Sequence, residues 1–121
     1  MAVVRSLREI ASAVRKNVKI EHIVLKGSED LICNNMMCEK VTEPCVCRLE
    51  RVLETVTAPG EVRSIDISGN RLPALPPSLE KFTPHLERLD LSHNALTELP
   101  AFVLDMMEGG GRVETTGNPV R

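Results

Sequence analysis

Two stretches of this chain are one pattern written twice. Residues 62–76 read VRSIDISGNRLPALP and residues 86–100 read LERLDLSHNALTELP, aligned without a gap at a step of 24 residues. Apolar residues recur as Val62/Leu86, Ile65/Leu89, Ile67/Leu91, Leu72/Leu96 and Leu75/Leu99, and Asn70 pairs with Asn94. A short unit at a fixed period cannot bury its apolar face alone, so it must stack on its neighbours. One further step puts Asn118 in the register of Asn94, with Val113 for Leu89 and Val120 for Leu96. Thr115 replaces Leu91, so this unit is degenerate, as terminal repeats are. Upstream, Ile20, Ile23 and Leu25 copy the apolar spacing, with Ser28 where the Asn belongs.

The spacing puts Ile65 with Ile67, and Leu89 with Leu91, on one face of a short strand. A buried Asn at the same turn of each unit has donors and an acceptor for backbone groups that burial would orphan. This pattern, L-x-x-L-x-L-x-x-N-x-L, resembles the leucine-rich repeat family over residues 62–100 and more weakly over 101–121. The resemblance implies an α/β solenoid, with a short parallel sheet on the concave side and helices or turns on the convex side. The connecting segments fit: 46–57 has helical apolar spacing, 76–84 allows one short turn between prolines, and 101–107 reads as a helix stopped by Gly109, Gly110 and Gly111.

Val3, Leu7, Ile10 and Val14 fall at helical spacing, so residues 1–17 read as an amphipathic cap helix. Arg5, Arg8, Arg15 and Lys16 against the single Glu9 also fit a mitochondrial targeting helix, and that reading stays open. With 121 residues and no Gly/Ser-rich linker, the expectation is a single domain. Its parts are the helix 1–17, a divergent first repeat 18–61, clear repeats 62–85 and 86–109, and a degenerate terminal repeat 110–121. From Ile20 to Val62 the step is 42, which leaves 18 extra residues as an insertion. The cysteines Cys33, Cys38, Cys45 and Cys47 fall in this divergent stretch, and NNMMCEKVTEP is expected to bulge out as the insertion. Reduced thiols are the first reading, since no secretory signal precedes them. A zinc site and disulfides stay open, although C-x4-C-x6-C-x-C lacks the C-x2-C knuckle of zinc frameworks.

Catalysis finds no support. His22, His85 and His93 have no partner at metal-ligand spacing, and the three glycines at 109–111 lack the Lys-Ser or Lys-Thr of a phosphate loop. No metal or other cofactor is called for. A net charge of −2 and 2% aromatic residues argue against nucleic acid, and no apolar run is long enough to span a membrane.

The outward strand positions carry the binding expectation. In a parallel stack, equivalent residues lie about 4.8 Å apart on neighbouring strands. Asp66, Asp90 and Glu114 then form an acidic column after Val24. His22, Ser64, Arg88 and Arg112 form the next, where the arginines can offset the acids diagonally. Lys26, Ser68, Ser92 and Thr116 form a third, whose small hydroxyls would leave room for a partner. Like charges in register are unfavourable, and a segment bearing Lys or Arg would relieve them. A strand near 112–116 would be an uncapped edge, open to pairing with another chain. The expectation is a non-catalytic protein-interaction module, an adaptor or subunit, in an intracellular, cytoplasmic or mitochondrial setting. Asp90→Lys is expected to weaken such binding with little loss of folding.

Overall fold

A computed structural model describes residues 3–27 and 46–119. Five strands form one fully parallel sheet in chain order: β1 (Val3–Val4), β2 (His22–Val24), β3 (Ser64–Asp66), β4 (Arg88–Asp90) and β5 (Arg112–Glu114). The connections hold α1 (Leu7–Arg15), α2 (Cys47–Glu54), a 3-10 helix (Pro77–Lys81) and α3 (Ala101–Glu108), with a 3-10 turn at Pro59–Glu61. The register follows the repeat: Val4, Ile23, Ile65, Leu89 and Val113 stand side by side. Ile23, Ile65 and Leu89 are sealed from solvent, and they pack in one core with Ile10, Leu49, Leu53, Leu79, Phe82 and Val103.

The N-terminus departs from the expected helix over 1–17. Val3 and Val4 are in a strand beside β2, and the helix starts at Leu7. Two β-branched residues suit a strand, and Ser6 then sets the helix start. The Ser6 hydroxyl accepts from the Glu9 amide at 3.1 Å, and Ser-x-x-Glu is the sequence of a capping box. At the other end Asn17 takes φ 56°, the Asn17 amide donates to Val14 O and the Val18 amide to Ala13 O. These are the two bonds of a Schellman stop. Leu7, Ile10 and Ala13 are buried, and α1 packs against α2. So α1 is the connection between two strands, the place that α2 and α3 take later in the chain.

The glycines after α3 end it in the same way. Gly110 takes φ 90°, its amide donates to Met107 O, and the Gly111 amide donates to Met106 O. Between units, Lys81 ties the 3-10 helix to α2: its ammonium donates to Glu54 O at 3.1 Å and Val56 O at 2.8 Å. Burial pushes that ammonium below the ordinary lysine range, with Glu54 acting against it.

The asparagines form a ladder. Asn94 Oδ1 accepts from the amides of Asn70 (3.0 Å) and Leu72 (3.1 Å) in the preceding unit. Asn94 Nδ2 donates to Ile67 O and Leu91 O. Asn118 repeats this one unit on, accepting from the Leu96 amide and donating to Leu91 O and Thr115 O. Asn70 donates to Leu25 O and Ile67 O, while its Oδ1 has no partner among the described residues. The amides that the ladder would place opposite it belong to positions 28 and 30, outside the described residues. Ser28, Cys33, Cys38, Cys45 and Val120 lie outside them too. Cys47 is the first residue of α2 and half-buried.

Candidate functional site

Parallel sheets are generally covered on both faces. Among the described residues the helices pack on one face, against Ile23, Ile65 and Leu89, and the other face presents the first and third members of each strand from β2 to β5. Strand register puts Val24, Asp66, Asp90 and Glu114 in one row, and His22, Ser64, Arg88 and Arg112 in the next. Both rows stand as expected from the repeat. Asp66, Asp90 and Ser64 are half-buried, whereas Arg88, Arg112 and Glu114 are exposed.

The third row needs correction. Ser68 and Ser92 are 3% and 9% exposed, so they leave no open space for a partner. Each hydroxyl donates to the carboxylate two residues back: Ser68 to Asp66 and Ser92 to Asp90, both at 2.6 Å. The amide of each serine donates to the same oxygen at 3.0 Å. The chain turns after the strand, so the alternation of faces ends and the serine tucks under the aspartate. Asp-x-Ser, present twice at the same register, is the signal that was there to be read.

These brackets give the acidic row two kinds of member. Asp66 and Asp90 each use Oδ1 to hold a turn and offer the other oxygen outward. Asp90 also pairs with Arg88 along the strand at 3.4 Å. Burial alone would raise the Asp90 carboxyl, but the Ser92 hydroxyl and amide outweigh it, with Arg88 and Lys26 helping. Its pKa lies below the ordinary carboxylate value. Glu114 stands without such a bracket among the hydrogen bonds of the described residues, and is the most exposed acid of the row.

One position earlier the charges alternate. Glu21, Arg63 and Glu87 occupy equivalent sites, and Arg63 pairs with Glu87 at 3.3 Å. Lys19 pairs with Glu21 at 3.2 Å, and its hydrogen bond and charge hold the Glu21 carboxyl low, with Arg63 and His22 adding to this. Alternating charge down a ladder is self-satisfied; a row of one sign is not. The sheet also brings His22 Nδ1 and the Ser64 hydroxyl to 2.6 Å, a contact 42 residues apart in sequence. It is a cross-strand side-chain pair on the open face. Among the described residues no three His, Cys, Asp or Glu side chains converge as metal ligands, so the acidic row is not a cation cage.

No helix among the described residues is long and apolar enough to cross a membrane. Comparison with curated proteins and with solved structures gave no match. A family model described as leucine rich repeat matches residues 60–106. Such repeats generally mediate protein–protein interaction, and the family is typically non-enzymatic. The match falls on two units whose strands and asparagine ladder are regular, and over those residues the chain is similar to leucine-rich repeat proteins.

Proposed function

We propose that the chain is a non-catalytic interaction module, a small adaptor or subunit, that receives a Lys- or Arg-bearing protein segment on the open face of its sheet. The observation that carries this reading is the row Asp66, Asp90 and Glu114, three acids in register on a parallel sheet face that no helix among the described residues covers. Arg88 satisfies one of them in part. Ser64, Arg88 and Arg112 flank the row and would set the direction of the bound segment.

The β5 edge is the second contact of this reading. Ile67 and Gly69 donate their amides to Asp90 O and Ser92 O, and Leu91 and His93 donate theirs to Glu114 O and Thr116 O. One step on, the same geometry points the amides of Thr115 and Gly117 away from β4, where a further strand would pair with them. They are expected to exchange rapidly in the isolated chain and slowly in a complex that covers the edge. The Arg112 amide donates to Glu87 O and does not report on the edge.

The test of the acidic row is the triple variant Asp66→Asn/Asp90→Asn/Glu114→Gln. The two asparagines keep an acceptor for Ser68 and Ser92, so the turns survive while three charges are removed. Capture from a gentle lysate should recover a partner with the wild-type chain and lose it with the triple variant. Recovery should also fall with added salt, because exposed charges are screened. Equal recovery by both chains would overturn this reading.

A further inference from the structure

We propose that the groove between the 3-10 helix Pro77–Lys81 and α3 is a second docking site, for a peptide segment carrying an apolar side chain between Lys or Arg residues. The groove has a volume of about 310 Å³ and lies among connections that cover the sheet, on the opposite side from the acidic row. Leu86, Phe102 and Met106 supply its apolar lining. Phe102 is half-buried, whereas Leu86 and Met106 are each 7% exposed. An aromatic ring left half open beside apolar neighbours is the kind of pocket that takes an anchor side chain.

Charge selects the occupant. Glu80 stands on one wall and Asp105 on the other, both exposed, and the lining contains no Lys, Arg or His. Of the bases next to the lining in sequence, Lys81 is bonded to Glu54 O and Val56 O, the His85 ring lies beside Gly60, and Arg112 stands in the row on the open face of the sheet. Around α3, residues 97–111 hold Glu98, Asp105 and Glu108 and no base. An acidic partner would meet repulsion from both walls, and a neutral apolar one would gain nothing from either carboxylate. A basic segment with one apolar anchor satisfies floor and walls together. The far wall is backbone at Gly109 and Gly111, and a Cβ at Gly111 would stand 2.7 Å from Met106 Cγ. The composition of α3 agrees. A surface helix ordinarily shows a polar outer face, yet AFVLDMME has only Asp105 and Glu108 as polar residues.

The experiment selects short random peptides displayed on phage against the full chain, then compares the recovered peptides on the wild type and on Glu80→Lys/Asp105→Lys. Both positions are exposed, and Glu80→Gln/Asp105→Asn serves if the charge reversal does not fold. Recovered peptides should combine Lys or Arg with an apolar residue. They should shift the amides of residues 80–86 and 102–111, and lose about tenfold or more in affinity on the double variant. The Asp66→Asn/Asp90→Asn/Glu114→Gln chain should bind them as the wild type does, which separates this site from the open face. Failure to recover any peptide, peptides without a basic residue, shifts confined to the strands, or equal binding to the double variant would overturn the proposal. So would a dimer of the chain that uses these same residues.

Discussion

Asn94 shows how much one repeat residue holds. It makes five hydrogen bonds, all to backbone groups, and is 7% exposed. In Asn94→Ala, Ile67 O keeps Asn70 as a donor and Leu91 O keeps Asn118. The amides of Asn70 and Leu72 keep nothing. Two buried donors left unpaired cost about 1–3 kcal/mol each, so urea unfolding should show a loss of about 2–6 kcal/mol. Asn118→Ala should cost about 1–2 kcal/mol, because Asn118 is half-buried and orphans only the Leu96 amide. This ladder was legible because one residue type recurs at one step. The turn just before it was less so. Gly27, Gly69, His93 and Gly117 hold equivalent positions, all with positive φ from 56° to 81°. His93 is the single side chain in that column, and its ring lies against Gly117. A left-handed conformation costs a non-glycine residue about 1 kcal/mol. His93→Gly should therefore raise the unfolding midpoint, by about 0.5–1 kcal/mol in stability. A fall would show that the ring's contact with Gly117 outweighs the backbone strain.

At the scale of the element, the strands end on Asp-x-Ser brackets, which changes what substitution on the open face means. Reading the strand by alternation places Asp90 outward and leaves Asp90→Lys harmless to folding. The bracket makes Asp90 a structural acceptor as well, since Ser92 donates to it twice. Asp90→Lys should cost about 1–3 kcal/mol by leaving the buried Ser92 groups unpaired. Glu114→Lys should stay within about 0.5 kcal/mol of the wild type. The bracket also gives an acid limb. The Asp90 carboxyl titrates lower in the fold than in the unfolded chain. Its contribution is therefore fully present above the ordinary carboxylate value and is lost as pH falls through the lowered one. Asp90→Asn should flatten the fall in stability between neutral pH and about pH 3, as followed by denaturant unfolding at each pH. The helices were more legible than the strand ends: their apolar spacing located α2 and α3, and α1 differed chiefly at its start. There the period of 3.6 ran through Val3, and the Ser6-x-x-Glu9 signal that moves the boundary to Leu7 is local rather than periodic.

Over the whole molecule the strand-to-strand step runs 19, 42, 24 and 24 residues, taking Val4, Ile23, Ile65, Leu89 and Val113 as markers. The two equal steps carry the legible part of the fold and the whole of the acidic row. The first unit was hidden because its step is short and it lacks the asparagine. Repeat arrays gain stability mainly from contacts between neighbouring units, so the first unit matters to the second. Val4, Leu7, Ile10 and Ala13 are all buried, and Ile10 is fully sealed. Burial of a large apolar side chain contributes about 1.5–3 kcal/mol, against about 5–15 kcal/mol for the stability of a whole domain. Removing residues 1–16 would delete β1 and α1, open the edge of β2 and expose the face of α2 that α1 covers. The truncated chain should melt well below the full chain and less cooperatively, and should bind dyes specific for exposed apolar surface. This result would count against cleavage of residues 1–16 as a targeting segment, since the mature protein would lose part of its core. Melting at the temperature of the full chain would instead show that the first unit rides on the repeats without supporting them, and would leave the targeting reading standing.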